Sequence, residues 1–170
     1  IILSHLNAGK KFRTASISSV TVPKPQVEFG FKLSKYFSSS IDSSDGLSSS
    51  LYELVQKKRF DFVIDKIPRP QDLTHFATMN SISTDDLVFF GGEEYETIAT
   101  VPNQHFKRFM KDARKHRIKV YHIGYVARGN GNVIYESNGI QKIVRNQGFM
   151  HFTNNISQGL IKVERKRKII

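Results

Sequence analysis

Short apolar runs alternate with longer amphipathic ones along this chain, and stiff breaks keep them apart. Pro23-Lys24-Pro25, Pro68-Arg69-Pro70 and Gly91-Gly92 fall between the runs. Proline fixes φ and removes a backbone donor, and paired glycines stop helices, so regular elements end at these points. Ile1 to Phe12 reads as the end of a helix, and Lys10 to Val22 as a loop. Gln26 to Phe37 has helical spacing, with Val27, Gly30, Leu33 and Phe37 on one stripe. Leu47, Leu51, Leu54 and Val55 mark a second amphipathic helix ending near Lys57-Lys58-Arg59. Phe60 to Ile64 is a β-rich run, and Gln71 to Phe90 is mostly helical, with Ser83 or Thr84 as a cap. Tyr95 to Val101 reads as a strand, and Gln104 to Arg117 as a basic helix with Phe106, Phe109 and Met110 facing a core. Lys119 to Val126, the turn Arg128 to Asn132 and Val133 to Tyr135 together predict a hairpin. Strands interleaved with helices, plus one hairpin, predict a layered α/β sandwich with a mixed sheet.

The 170 residues amount to one domain. No apolar run reaches the roughly 18–20 residues of a membrane-spanning helix. The chain has no Cys, which excludes disulfides and thiolate metal sites and fits a reducing compartment; the cytoplasm is the expected location. Lys+Arg exceeds Asp+Glu by 26 to 15. The excess is +3 in residues 1–85 and +8 in 86–170, so an anionic partner is expected, a nucleotide, phosphorylated metabolite or nucleic acid. The chain opens on Ile1-Ile2-Leu3-Ser4 without Met, which reads as the middle of an element and predicts a fragment.

Three motifs carry candidate chemistry. In Asp42-Ser43-Ser44-Asp45-Gly46-Leu47, two carboxylates flank serines and an Asp-Gly turn opens into a helix. Amides at a helix start attract phosphate, and one or two carboxylates beside bound polyphosphate hold Mg²⁺. The same residues also read as a capped helix, with Asp45 as N-cap and the surrounding serines as a linker. Gly91-Gly92-Glu93-Glu94-Tyr95-Glu96 offers close backbone approach and acids for a cation, or simply a helix stop followed by solvated charges. Gln147-Gly148-Phe149-Met150-His151-Phe152 offers an aromatic that stacks on a heterocycle or closes a core.

The order and spacing of the three motifs resemble the C-terminal half of thiamine-monophosphate kinases, over roughly residues 20–152. There, R-P-x-P-R-x-x-x-G leads to I-D-x-S-D-G-L, matched by Pro23 to Gly30 and Ile41 to Leu47. Lys66-Ile67-Pro68 matches K-I-P, Gly91 to Pro102 (GGEEYETIATVP) matches G-G-E-D-Y-E-L-x-x-T-V-P, and Gly148 to Phe152 (GFMHF) matches G-Y-D-H-F. This family sits in the aminoimidazole ribonucleotide synthetase superfamily, with selenophosphate synthetase and a hydrogenase-maturation enzyme. The resemblance implies an α+β fold, a three-layer α/β/α sandwich with a mixed sheet and partial ferredoxin-like topology. It implies a C-terminal domain over 1–152, its first strand possibly missing, a basic tail over 153–170, and an absent N-terminal domain carrying further Asp ligands and the interface of a homodimer.

The resemblance also implies an ATP-dependent, Mg²⁺-assisted phosphoryl transfer to thiamine monophosphate, giving thiamine diphosphate, with the fragment alone inactive. It assigns Asp42 and Asp45 to Mg²⁺, Ser44 to ATP, and Glu93 and Phe149 to the thiamine phosphate. Gln26, Glu94, Thr97 and Met150 depart from the family's Arg, Asp, Leu and Asp. The acceptor is a phosphate oxygen already ionised near neutrality, so no side-chain nucleophile or base is expected. There is no G-x-x-x-x-G-K loop, and the His residues have no zinc-helix spacing. The alternatives are another ATP-using member of the superfamily, or a basic nucleic-acid-binding module, for which no recognised motif is present.

Overall fold

A computed structural model describes residues 25–56, 58–92, 96–148 and, for the backbone alone, 160–162. Helix α1 is Val27–Leu33, continued by a 3-10 turn at Ser34–Tyr36. Strand β1 (Ser39–Ser43) leads to α2 (Leu47–Val55), then β2 (Phe60–Ile64). Helices α3 (Gln71–Met79) and α4 (Thr84–Phe90) follow, then β3 (Glu96–Thr100) and α5 (Asn103–Lys115). Strands β4 (Gly124–Arg128), β5 (Val133–Ser137), β6 (Ile140–Val144) and β7 (Leu160–Lys162) complete the order. The architecture is α+β with a mixed sheet.

Local chemistry accounts for the boundaries. Pro70 and Pro102 stand at φ −56° before α3 and α5, with ψ of 144° and 141°, and each chain turns helical at the next residue. Ser83 caps α4, its hydroxyl accepting from the Asp86 amide at 3.3 Å. The Lys119 to Val126 expectation is only half met, since β4 begins at Gly124.

The predicted hairpin is overturned. Strands β4 and β5 do not pair; β2 lies between them in a five-stranded sheet of order β4-β2-β5-β6-β7. Strand β2 runs antiparallel to β4 (Phe62↔Val126) and parallel to β5 (Phe62↔Val133). The reason is buried: Asp61, 2% exposed on β2, accepts from the Asn130 and Asn132 amides at 2.8 and 2.9 Å through one carboxylate oxygen. Its carboxylate thereby pins the 129–132 loop across the end of β2 and keeps the two flanking strands apart. The true hairpin joins β5 to β6 through Asn138-Gly139, both at positive φ (53° and 74°), the geometry of a type I′ turn. Strand β1 is a second departure, because its serine-rich sequence suggests a linker and the chain forms a ladder with β3 instead, Ser39↔Thr100 through Ser43↔Glu96.

Two apolar clusters hold these elements. Leu51 and Val55 of α2 pack on Phe62 and Ile64 of β2, Phe89 of α4, Val133 and Tyr135 of β5 and Val144 of β6. Leu33 of α1 packs on Phe109 and Ala113 of α5, with Phe106 and Met110 against them.

Candidate functional site

The three motifs converge on the start of α2. Gly46 is its N-cap, at φ 100° and ψ 160° with no side-chain cap, so Asp45 does not cap the helix. This backbone region belongs almost wholly to glycine. A Cβ at Gly46 would stand 2.5 Å from the Gly91 carbonyl oxygen and 3.3 Å from that of Phe89. The Asp42–Leu47 turn and the Gly91-Gly92 turn therefore touch backbone to backbone. A Cβ at Gly148 would stand 3.2 Å from the Asp45 Cβ and 3.4 Å from the Ser49 hydroxyl. Gly148 of the third motif thus lies against the first.

Short side chains on α2 tie this arrangement down. The buried Ser48 hydroxyl donates to the Arg145 carbonyl, and the Tyr52 hydroxyl donates to the Val144 carbonyl at 2.6 Å. Burial pushes the Tyr52 phenol above its ordinary range, which keeps it a donor. The serines of this segment are packing residues, small enough for α2 to approach the exit of β6. On the other side, Arg69 donates twice to one oxygen of Asp85, at 2.8 and 3.0 Å, and once to the Tyr135 hydroxyl at 2.5 Å. Asp85 lies in the first turn of α4, so this clamp fixes the helix that delivers Gly91 to Gly46.

Asp42 and Asp45 are exposed and bracket the turn, with Ser44 exposed between them. Asp42 is oriented from the facing strand, where its cross-strand partner Thr97 donates from Oγ1 to Oδ1 at 2.9 Å. Thr97 is the residue that departs from the family's Leu, and only the register of β1 on β3 shows its role. Glu93 and Phe149 lie outside the described residues. Among the described residues no three His, Asp or Glu side chains gather as a metal cluster. Two exposed carboxylates at a turn that opens a helix do suit Mg²⁺, which binds through one or two carboxylates and otherwise through water and phosphate. Among the described residues, no helix is long and apolar enough to cross a membrane.

Comparison with known proteins gives a consistent identity. No protein-family model matches the chain. It is 42% identical to the thiamine-monophosphate kinase of Nitrosopumilus maritimus over 152 residues, 89% of this chain and 48% of that protein. It is 24% identical to the thiamine-monophosphate kinase of Aquifex aeolicus, over 89% of this chain and 46% of that protein. Its fold matches a solved structure of AaThiL complexed with AMPPCP and TMP, with a TM-score of 0.68 and 25% identity, over 89% of this chain and 45% of that one. The chain spans about half the length of the curated relatives it matches. It belongs to the thiamine-monophosphate kinase family.

Proposed function

We propose that this chain is the C-terminal half of an ATP-dependent thiamine-monophosphate kinase that works in the cytoplasm with its N-terminal domain, as a homodimer. The observation that carries the reading is the convergence of three sequence-distant motifs on the head of α2, where Gly46 meets Gly91 and Gly148 meets Asp45. A relative bearing that name matches 89% of the chain, and AaThiL binds AMPPCP and TMP.

In this reading Asp42 and Asp45 hold Mg²⁺, Ser44 donates to ATP, and Glu93 and Phe149 receive the thiamine phosphate. Bound Mg²⁺ would neutralise charge on the two phosphorylated reactants. The α2 amides face phosphate, and the partial positive charge of a helix start favours it. Thr97 holds one Asp42 oxygen in place, which orients the carboxylate before any ligand arrives. The acceptor oxygen is anionic at neutral pH, so the chain needs to supply position and charge, not a base.

The test is thiamine diphosphate formation from thiamine monophosphate, ATP and Mg²⁺, on this chain and on the protein extended to the relatives' full length. Turnover is expected from the extended protein alone. Asp42→Asn and Asp45→Asn together should abolish it with the fold intact. Turnover retained in a folded double variant would remove the metal assignment.

A further inference from the structure

Helix α5 carries most of the chain's charge asymmetry. Residues 103–119 hold seven Lys and Arg against Asp112 alone, which is +6 of the +8 found in residues 86–170. The helix is two-faced. Leu33 of α1 packs on Phe109 and Ala113, with Phe106 and Met110 beside them, so the apolar stripe is turned into the core. On the other side, every exposed side chain between residues 107 and 115 is cationic: Lys107, Arg108, Lys111, Arg114 and Lys115.

Folding does not account for this face. A solvated helix surface mixes signs, so that charges three and four residues apart attract. Here Lys107 and Lys115 each stand four residues from Lys111, and Arg108 and Arg114 each three, so every such pair repels. The helix dipole favours Arg114 and Lys115 in the last turn, but not Lys107, Arg108 and Lys111. Asp112, the one acid of the helix, is already held by the Tyr36 hydroxyl at 2.8 Å and the Lys35 ammonium at 3.0 Å, with Lys115 a weaker influence. Among the described residues, neither ion pair involves an outward cation of α5. A row of cations without counter-charge fits a ligand that brings its own.

The surface also narrows the kind of polyanion. Phe106, Lys107, Met110, Lys111 and Arg114 line a shallow hollow of about 340 Å³. Its floor is the half-buried Phe106 and Met110, and its rim the three exposed cations. An unstacked base rests on an apolar floor while its phosphates meet cations, as in single-strand binding grooves. The bases of a duplex are closed in their stack. Among the described residues, the large exposed apolar side chains all lie off α5, so the helix offers neither an anchor for a protein partner nor a wedge for lipid. We infer that the outer face of α5 binds single-stranded nucleic acid through its phosphodiester backbone, without sequence preference, with one base in the hollow over Phe106 and Met110. At about 1.5 Å per residue, the 13 residues of α5 extend about 20 Å, enough for a few nucleotides. None of the three motifs lies on α5, so this binding and phosphoryl transfer can fail independently.

The experiment is fluorescence anisotropy of a labelled, mixed-sequence single-stranded RNA of about 12 nucleotides, titrated with the protein extended to the relatives' full length. Five phosphate contacts at about 0.7 each give a slope of about −3.5 in log K against log salt, so binding should weaken about a hundredfold from about 50 to about 200 mM salt. Lys107→Gln, Lys111→Gln and Arg114→Gln together should reduce the slope to about −1.4 and weaken low-salt binding by about tenfold or more. Gln keeps the helix propensity and removes like-charge repulsion, so the melting temperature should not fall. Lys58→Gln, Arg59→Gln and Arg128→Gln together remove the same charge from exposed positions off α5, and should leave the slope at about −3.5. Equal losses from the two triple variants overturn the inference, because net charge alone would then be at work. So does the absence of binding by the folded extended protein at about 50 mM salt. A duplex of the same sequence bound more tightly than the single strand, or binding to phosphatidylserine vesicles in place of the RNA, overturns it as well.

Discussion

Four glycine-to-alanine substitutions separate backbone strain from steric contact, and Gly46→Ala should be the worst of them. At Gly46 both act, since φ is 100° and a Cβ would meet the Gly91 carbonyl oxygen at 2.5 Å, with a backbone atom unable to swing aside. Forcing a side chain into this region costs about 1–3 kcal/mol. Overpacking against a fixed neighbour costs about 1–3 kcal/mol more. The sum is about 2–6 kcal/mol, a large share of the roughly 5–15 kcal/mol that stabilises a domain. Gly139 has φ 74° and nothing within 4 Å, so Gly139→Ala carries the strain alone, about 1 kcal/mol. Gly91 has ordinary φ, and its Cβ would stand 2.5 Å from the Leu87 carbonyl oxygen, so Gly91→Ala carries the contact alone. Gly30 is helical with open space around it, so Gly30→Ala should stabilise by about 0.5–1 kcal/mol. Urea unfolding at fixed m-value reads all four, and at about 2–4 °C per kcal/mol the melting temperature of Gly46→Ala should fall by about 4–24 °C. A Gly46→Ala midpoint equal to that of Gly139→Ala would refute the backbone contact between the first two motifs, and with it the geometry of the proposed site.

Asp61→Ala should cost about 2–3 kcal/mol, because the Asn130 and Asn132 amides lose the buried carboxylate that accepts from both. Asp61→Asn, which retains an oxygen in the same place, should cost much less; equal losses in urea unfolding would refute the acceptor role. Asp112 links α5 to the turn after α1: the Tyr36 hydroxyl, donating at 2.8 Å, and then the Lys35 ammonium at 3.0 Å hold its carboxyl below the ordinary range. The folded state therefore binds this proton less readily than the unfolded one. The contribution is complete above the unfolded value of about 4 and is lost as pH falls through the lower folded value. Tyr36→Phe should flatten stability against pH in that acidic window, and an unchanged slope would exclude the contact as its source.

Most helices and their ends were legible in the sequence because their causes are local. Proline before α3 and α5, serine before α4, and the spacing of Leu47, Leu51, Leu54 and Val55 each act within a few residues. The ordered motifs also fixed the family, since their spacing survives without any knowledge of contacts. Strand β1 was not legible, because a serine-rich run pairs only when β3 lies beside it. Nor was the separation of β4 from β5, which depends on a buried carboxylate on β2 some seventy residues before the loop it holds. Asn138-Gly139 carries a hairpin signal locally, as does the Arg128 to Asn132 turn, and only the position of β2 between β4 and β5 tells the two apart. The sequence by itself determined the order and spacing of the three motifs that the chain shares with its relatives. Only the tertiary structure decided that Gly46 meets Gly91, that Gly148 meets Asp45 and that Thr97 orients Asp42, because strand register and backbone approach join positions that no local spacing connects.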